Sequence, residues 1–516
     1  MGFTLPPTAS SAQPGVDDTA VVATDHVRAA AARVVTPRGT AQAVSPTTVT
    51  GALSTETAQQ LAESRNAQPQ MRPDVRTQSS SPDEGHSGPV SFEGLNEGNS
   101  GSRPPDTHGA VGLKHFVEVT NGTGFGVFNK SDGANVLTVS LASFFGYTTT
   151  TIFDPRVVFD KKFNRWVVIA EARPEANPSI QNVFLAVSRT SDPTGEFFVY
   201  QFDLPEGNDF FDYPQLGLNR NAVIVTGSVF NQAQTAYLRS RAFGIAKEDL
   251  YNGLPFSVPY FDLGAPGTVA PPMVEDNNTD AFLLAAAVTS PNALKLFRAR
   301  SLGGSDAAID PATNVPVPAF AVPPAARQPG STDRLDALNA RFQNVSTQIG
   351  NQLLNVHTIA TGSFPTPKWY QINTTTSTVP PGRSGMVFEA NDSDDFNPSV
   401  AGSSVGGTKS NPIGLMYFTW SSTNAVGRSQ HQARVKGAGR FADDDVNVTG
   451  GLTFGEATVP YNPSANTVER WGDYSAVTID PVAGHKCHVG ENAWLVNERQ
   501  TSSNLWGSRI GSFGYC

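Results

Sequence analysis

One pattern returns along this chain from residue 105 onward, and it restricts the fold more than any other feature. A polar residue, often followed by proline, opens a few alternating apolar positions, then come a polar turn and a second apolar run. The instances are Pro105-Asp106-Thr107-His108-Gly109-Ala110-Val111, Asp154-Pro155-Arg156-Val157-Val158-Phe159-Asp160 and Asp212-Tyr213-Pro214-Gln215-Leu216-Gly217-Leu218, then Ala270-Pro271-Pro272-Met273-Val274, Arg341-Phe342-Gln343-Asn344-Val345-Ser346, Phe396-Asn397-Pro398-Ser399-Val400 and Gly472-Asp473-Tyr474-Ser475-Ala476-Val477. Taking Thr107, Pro155, Pro214, Pro272, Asn344, Pro398 and Tyr474 as equivalent, the intervals are 48, 59, 58, 72, 54 and 76 residues, about 61 on average. The partner runs are as regular, from His115-Phe116-Val117-Glu118-Val119 and Arg165-Trp166-Val167-Val168-Ile169 to Leu415-Met416-Tyr417-Phe418-Thr419-Trp420. Alternation bounded by Gly, Asn, Asp and Pro is strand-and-turn writing. A long period of such units is the mark of a repeat fold whose sheets share one core.

The expectation is an all-β protein: a β-propeller of seven blades, each of four antiparallel strands, with loops longer than in compact propeller families. Closing the ring hides the sheet edges. The first unit is the least regular, so six or eight blades stay open. A closing strand is expected at Trp506-Gly507-Ser508-Arg509-Ile510-Gly511-Ser512-Phe513, which alternates near the end of the chain.

Composition agrees where it bears on the fold. Glycine (47) and proline (38) are abundant and methionine (5) is scarce, which is poor material for long helices. Residues 1–103 are different: they are rich in Ala, Thr, Ser, Pro and Gln, and Phe3 and Phe92 are their only aromatic residues. Such a segment buries too little apolar area to offset its ordering entropy. It is read as a disordered, low-complexity segment and linker preceding a propeller domain at 104–516. Two stretches in it, 24–35 and 55–68, have the composition of short helices that would be marginal alone.

Net charge is −10, so no basic excess is available to neutralise phosphates, and nucleic-acid binding is excluded. The longest clean apolar run, Ala281 to Val288, is far short of the roughly 20 residues that span a bilayer. The opening Met1-Gly2-Phe3-Thr4-Leu5-Pro6 lacks the basic and apolar regions of a secretory signal. The two cysteines, Cys487 and Cys516, are expected to form a disulfide that pins the C-terminal strand, against the plainer reading of two free thiols. A structural disulfide favours an oxidising compartment, hence an extracellular or cell-surface location.

The polar residue that heads each unit is where chemistry would sit. In a propeller the innermost strands line a channel, so Asp106, Asp154, Asp212, Asn397 and Asp473 would converge on one mouth. Asp154, Asp212 and Asp473 are the catalytic candidates, because converging carboxylates raise one another's pKa and supply an acid and a base or ligands for Ca²⁺. The competing reading is turn chemistry, since Asp-Pro and Asn-Pro start turns by bonding backbone amides. Asn391-Asp392-Ser393-Asp394-Asp395 has the composition of a calcium loop, which makes Asp392, Asp394 and Asp395 metal candidates, although the Gly and Glu of an EF-hand are missing. Asp443-Asp444-Asp445 is read as a solvated turn. His108 and His357 lie in predicted strands without metal-type spacing. No Gly-x-Ser-x-Gly, His-Glu-x-x-His, Walker loop or Cys-x-x-Cys is present.

Several segments taken together carry a resemblance. These are Pro105-Asp106-Thr107 with Gly109-Ala110-Val111-Gly112, Ser188-Arg189-Thr190-Ser191-Asp192-Pro193-Thr194-Gly195, Asp212-Tyr213-Pro214, Leu335-Asp336-Ala337-Leu338 with His357-Thr358, Trp471-Gly472-Asp473-Tyr474-Ser475 and Trp506-Gly507-Ser508-Arg509-Ile510-Gly511. Over about residues 104–516 the chain resembles a group of secreted, largely uncharacterised bacterial proteins similar to sialidase-type β-propellers. The resemblance implies fold and export and no established reaction. Sialidases use an arginine cluster, a tyrosine–glutamate pair and an aspartate acid. Tyr213 and Tyr474 with Glu171 or Glu498, and Arg156 or Arg173, supply those residue types, and the sequence does not single out a set. The function expected is a monomeric propeller that binds a glycan or an extracellular protein through its channel mouth or loop face. The alternative is a carbohydrate-active hydrolase or lyase that uses the channel acids.

Overall fold

The computed structural model describes residues 21–41 and 90–515, apart from 99, 288–289, 426–429, 443 and 483–486. Among these residues the only helices are two short ones, Leu141–Phe145 and Lys247–Leu250, and strands make up the rest of the regular structure. The chain is all-β.

It runs through successive antiparallel meanders. The first is His108–Val111, His115–Thr120, Gly124–Asn129 and Asn135–Val139, paired in that order. The second runs from Ile152–Asp160 to Phe197–Asp203, and the third from Phe210–Leu218 to Phe256–Asp262. The fourth is broken up. Val269–Ala270 pairs with Ala281–Ala286, while Pro272–Val274 pairs in parallel with Leu218 on one side and with Ser346–Ile349 on the other. Further meanders run from Ser346–Ile349 to Ser384–Phe388, from Asp394–Ser403 to Leu452–Glu456, and from Ala476–Ile479 to Leu505–Gly514.

The first strands of these meanders pack one against the next, and Ala476–Ile479 packs back on His108–Val111. The apolar clusters follow the same cyclic order. One joins the first and second meanders through Val117, Phe125, Trp166 and Phe184. The next joins the second and third through Leu185, Tyr200, Leu216 and Phe243. The circuit ends with Phe92, Val111, Phe116, Trp494 and Ile510, which bridge the last meander and the first. Because each sheet is sandwiched between two others, its central strands are buried on both faces, as in Arg165–Ala172, where only the first residue is not buried.

The closing strand lies where the sequence places it, within Leu505–Gly514. Its partner comes from the segment read as disordered. Val90–Asn96 pairs antiparallel with Leu505–Gly514, so residues near the start of the described chain complete the last sheet. Glu118 of the first meander anchors this strand by accepting from the Leu95 N–H at 2.7 Å. Gly94 is required at this point, since a Cβ there would lie 2.2 Å from Ser508 Oγ and 2.4 Å from Glu118 Oε2.

Two more strands correct the reading of residues 1–103, and the stretch at 24–35 is not helical. Ala23–Ala29 pairs with Phe256–Asp262, and Arg33–Val35 pairs with Phe197–Asp203. Both outer strands offer an open row of backbone donors and acceptors, and such an edge captures a weakly helical segment when side chains such as Val27 and Ala29 can be buried beneath it. The stretch at 55–68 lies outside the described residues. So does Cys516; Cys487 is buried.

A small sheet made by loops, with Ala326–Arg327, Arg334–Leu335 and Val468–Glu469, packs through Leu335, Phe396, Trp471 and Trp506. It brings Asp336 and Arg470 to the end of the ring where the first strands begin.

Candidate functional site

The recurrent polar residue has a backbone reason. Asp106, Asp154, Asn397 and Asp473 all sit in the left-handed region, with φ of 50°, 52°, 51° and 62°, and in the third meander Tyr213 does so at 61°. Pairing slips at the same places, between Phe153 and Arg156, between Asp212 and Gln215, and between Phe396 and Ser399. Each is a β-bulge with a residue at positive φ, which Asp and Asn tolerate better than most. The bulge re-aims one side chain per sheet, and the sheets aim them at one another.

The structure therefore brings Asp154, Asp212 and Asp473 together, with Asp106 and Glu171. One oxygen from each of Asp154, Glu171 and Asp212 lies within 4.8 Å of the others. Burial and the neighbouring carboxylates favour the protonated forms of Asp106, which lies beside Asp154, and of Glu171, which lies beside Asp212. Burial raises Asp106 well above the usual carboxylate range, helped by Asp154 and Asp473. Burial does the same to Glu171, with Asp212 and Asp154 adding to it. Asp212 is pushed up to about 7 by burial and by Asp154, against the pull of Arg173. Burial also raises Asp473, although Arg470 and Arg341 oppose the shift. Of the five, Asp212 alone is half-buried; the others are buried.

The neighbours fix this cluster. Asn121 donates to Asp106 Oδ2 at 2.6 Å and accepts from the Asp154 N–H at 2.8 Å. Tyr474 Oη donates to Asp154 Oδ2 at 2.5 Å, and Tyr213 Oη donates to the Asp473 carbonyl at 2.8 Å. Arg470 pairs with Asp473 at 2.5 Å and with Asp336 at 3.2 Å. Arg341 lies over the Tyr213 ring at 4.7 Å. Exposed Arg173 and Arg470 and half-buried Arg341 thus border an acidic mouth.

Arg156 has a different task. Fully buried, it stacks on Tyr474 at 3.6 Å and donates to Pro214 O at 2.7 Å, Gln343 O at 2.8 Å and Asn344 Oδ1 at 3.3 Å. Each of its nitrogens is committed within the ring, so it is a structural tie below the mouth and not a substrate-binding arginine. Glu498 accepts from the Gly472 N–H at 2.5 Å and lies beyond the carboxylate trio.

The calcium-loop candidates do not converge. Asp394 makes a two-pronged pair with Arg327 at 2.6 and 2.9 Å and also accepts its N–H at 2.7 Å. Asp395 accepts from the Glu389 N–H, from Ser393 Oγ and from Trp420 Nε1, and Asp392 faces Asn424 at 3.4 Å. These carboxylates are occupied by an ion pair and a turn, so the metal reading of Asp392, Asp394 and Asp395 is withdrawn. Carboxylates able to hold a hard cation are instead Asp154, Glu171 and Asp212. His357 is a core residue: Nδ1 bonds Ala340 O at 2.7 Å, its ring stacks on Phe342, and burial lowers its pKa to about 4.

Sequence reasoning missed Arg341, Arg470 and Asn121. Arg341 was within reach, because it opens one copy of the repeat. The other two come from loops that carry no repeat signal.

No protein-family model and no curated protein matches the sequence. Among solved structures, similarity is found to a neuraminidase-like protein from A/bat/Guatemala/164/2009, at 11% identity and a TM-score of 0.38 over 66% of this chain and 87% of that one. The Trypanosoma rangeli sialidase in complex with sialic acid is similar at 9% identity and a TM-score of 0.37, over 82% and 58%. An exo-beta-1,3-galactanase from Phanerochaete chrysosporium is similar at 12% identity and a TM-score of 0.31, over 80% and 92%. At these scores the likeness carries no substrate or site across to this chain.

Proposed function

We propose that the chain is a seven-bladed β-propeller that works outside the cell as a monomer and binds a glycan at the acidic mouth of its channel. The cyclic packing of the first strands and the apolar cluster joining last meander to first support the fold. The observation that carries the function is the convergence of Asp154, Glu171 and Asp212 within 4.8 Å, with Asp212 only half-buried. Sugar hydroxyls both donate and accept, and a mouth of carboxylates bordered by Arg173, Arg341 and Arg470 offers acceptors and charged donors side by side. The test is binding of wild type and Asp212→Asn to a broad set of immobilised glycans. Retention by wild type and loss in the variant is the expected result. Absence of any glycan retention by wild type, or capture of a protein partner at this mouth instead, overturns the reading.

A second reading, a carbohydrate-active hydrolase or lyase, is favoured by one observation. One oxygen each of Glu171, Asp212 and Asp154 lies within 4.8 Å of the others, and burial and Asp154 push Asp212 up to about 7, where a general acid or base is most effective. Release of reducing ends from a bound glycan, with a pH profile that Asp212→Asn abolishes, would place the chain in that class. Binding without turnover would leave it a binding protein.

A further inference from the structure

Below the Arg156 tie the channel opens again toward the opposite end of the ring. A cavity there is bounded by residues of the first strands, apolar ones including Ala110, Val158, Met273, Val400 and Ala401. It has room for several waters or one small anion.

Its polar side chains share one arrangement. The Val157 N–H donates to His108 Nδ1 at 3.3 Å, and the Val111 N–H donates to Thr478 Oγ1 at 3.1 Å. The Val477 N–H donates to Ser399 Oγ at 3.3 Å, and the Gly402 N–H donates to Thr347 Oγ1 at 3.0 Å. At four successive seams, then, a side chain of one inner strand receives a backbone N–H of the next. This fixes what each presents to the cavity. A hydroxyl that accepts from the backbone still has its own proton to give, and an imidazole that accepts at Nδ1 carries its proton on Nε2. Among the described residues none of these four protons has a protein acceptor, although His108, Ser399 and Thr347 are each at least 95% buried. Burial and Arg156 lower the His108 pKa, which keeps the ring neutral and a donor.

The charge at the cavity floor has the complementary sign. Asn344 lines the cavity and passes its Oδ1 to the Arg156 guanidinium, which makes no carboxylate ion pair among the described residues. The carboxylate at the rim, Glu275, is already paired with Lys161. An apolar-walled cavity into which four otherwise uncommitted donor protons can turn, next to a buried guanidinium, suits an anion better than a cation.

We propose that this cavity is a small-anion site, for a halide or a short-chain carboxylate, held by His108 Nε2–H and the hydroxyls of Thr347, Ser399 and Thr478. It is separate from the acidic mouth and does not depend on the function proposed for it.

The test uses the full chain. Thermal unfolding is followed in sodium bromide and in sodium acetate against sodium gluconate at equal ionic strength, and crystals soaked in bromide are examined for anomalous scattering. A saturable rise in Tm with bromide or acetate and not with gluconate is expected, with a bromide peak in the cavity within hydrogen-bond reach of His108 Nε2. Ser399→Ala and Thr347→Val should each weaken the response about tenfold, the worth of one hydrogen bond to a charged group. Because either variant leaves a backbone N–H unpaired and could fail to fold, the wild-type bromide map decides independently. Water alone in the cavity, or equal Tm in all three salts, overturns the proposal.

Discussion

Glu118 offers the sharpest test of how the ring is closed. Its carboxyl is fully buried between the first meander and the strand Val90–Asn96, where it accepts from the Leu95 N–H. Burial pushes its pKa from an ordinary 4.5 to about 7, although hydrogen bonds from Ser508 and Leu95 work against this. Between those two values the folded chain holds a proton at this site that the unfolded chain has released. Stability therefore falls as pH rises through this window, is fully retained below about 4.5, and levels off above about 7. At 1.36 kcal/mol per pH unit the gap corresponds to about 3 kcal/mol. Glu118→Gln keeps an acceptor for Leu95 and removes the ionisation. Denaturant unfolding of both proteins from pH 4 to 9 should therefore give curves that agree at low pH and separate by about 3 kcal/mol above pH 7, with the variant the more stable. Other raised carboxyls, such as Asp106 and Glu171, contribute equally to both curves and cancel in the difference. Parallel curves across the whole range would refute the assignment of a neutral Glu118 under the closing strand.

Other expected outcomes test separate parts of the structure. Arg156→Met removes the donor to Pro214 O and one of two donors to each of Gln343 O and Asn344 Oδ1, and should destabilise by about 3 kcal/mol in denaturant unfolding; a loss below about 1 kcal/mol would show that the tie is dispensable. Gly94→Ala should lower stability by about 1–3 kcal/mol, because its Cβ has no room against Ser508 and Glu118. Asp394→Ala breaks a largely buried pair with Arg327 and should cost about 3 kcal/mol equally in calcium and in a chelator; a calcium-dependent difference would restore the metal reading of that loop.

What could be read from the residues was whatever repeats. The bulge that heads most inner strands writes itself with Asp or Asn at the left-handed position, as at Asp154, Asn397 and Asp473, whereas in the third copy Tyr213 takes that position and Asp212 precedes it, so the three aspartates were visible as a set through the repeat. Their partner strands were visible because burial on both faces makes them continuous apolar runs. Val90–Asn96 was not, since its pairing is decided by residues more than 400 positions away and its composition is that of a linker. Ala23–Ala29 has helical composition and is a strand only because the edge of another sheet is open beside it. The run at 391–395 misled for a related reason: an acidic loop looks alike whether its charges face a metal or an arginine, and Arg327 is 67 positions distant. The gathering of carboxylates at the mouth and the row of donors in the channel depend on distances between strands, which no single stretch of sequence records.

The strand that completes the last sheet also sets a timetable. Leu95 meets Ser508 across 413 residues. At the usual pace of synthesis, about 5–20 residues per second, Val90–Asn96 leaves the ribosome roughly 20–80 s before its partner exists. Through that interval the strand has no mate, and Phe92 and Leu95 are covered only from the side of the first meander, by Phe116 and Phe128. A chain stalled or cleaved before residue 505 would carry every earlier meander and still leave the first and last faces open, an exposed apolar surface that quality-control machinery is built to detect.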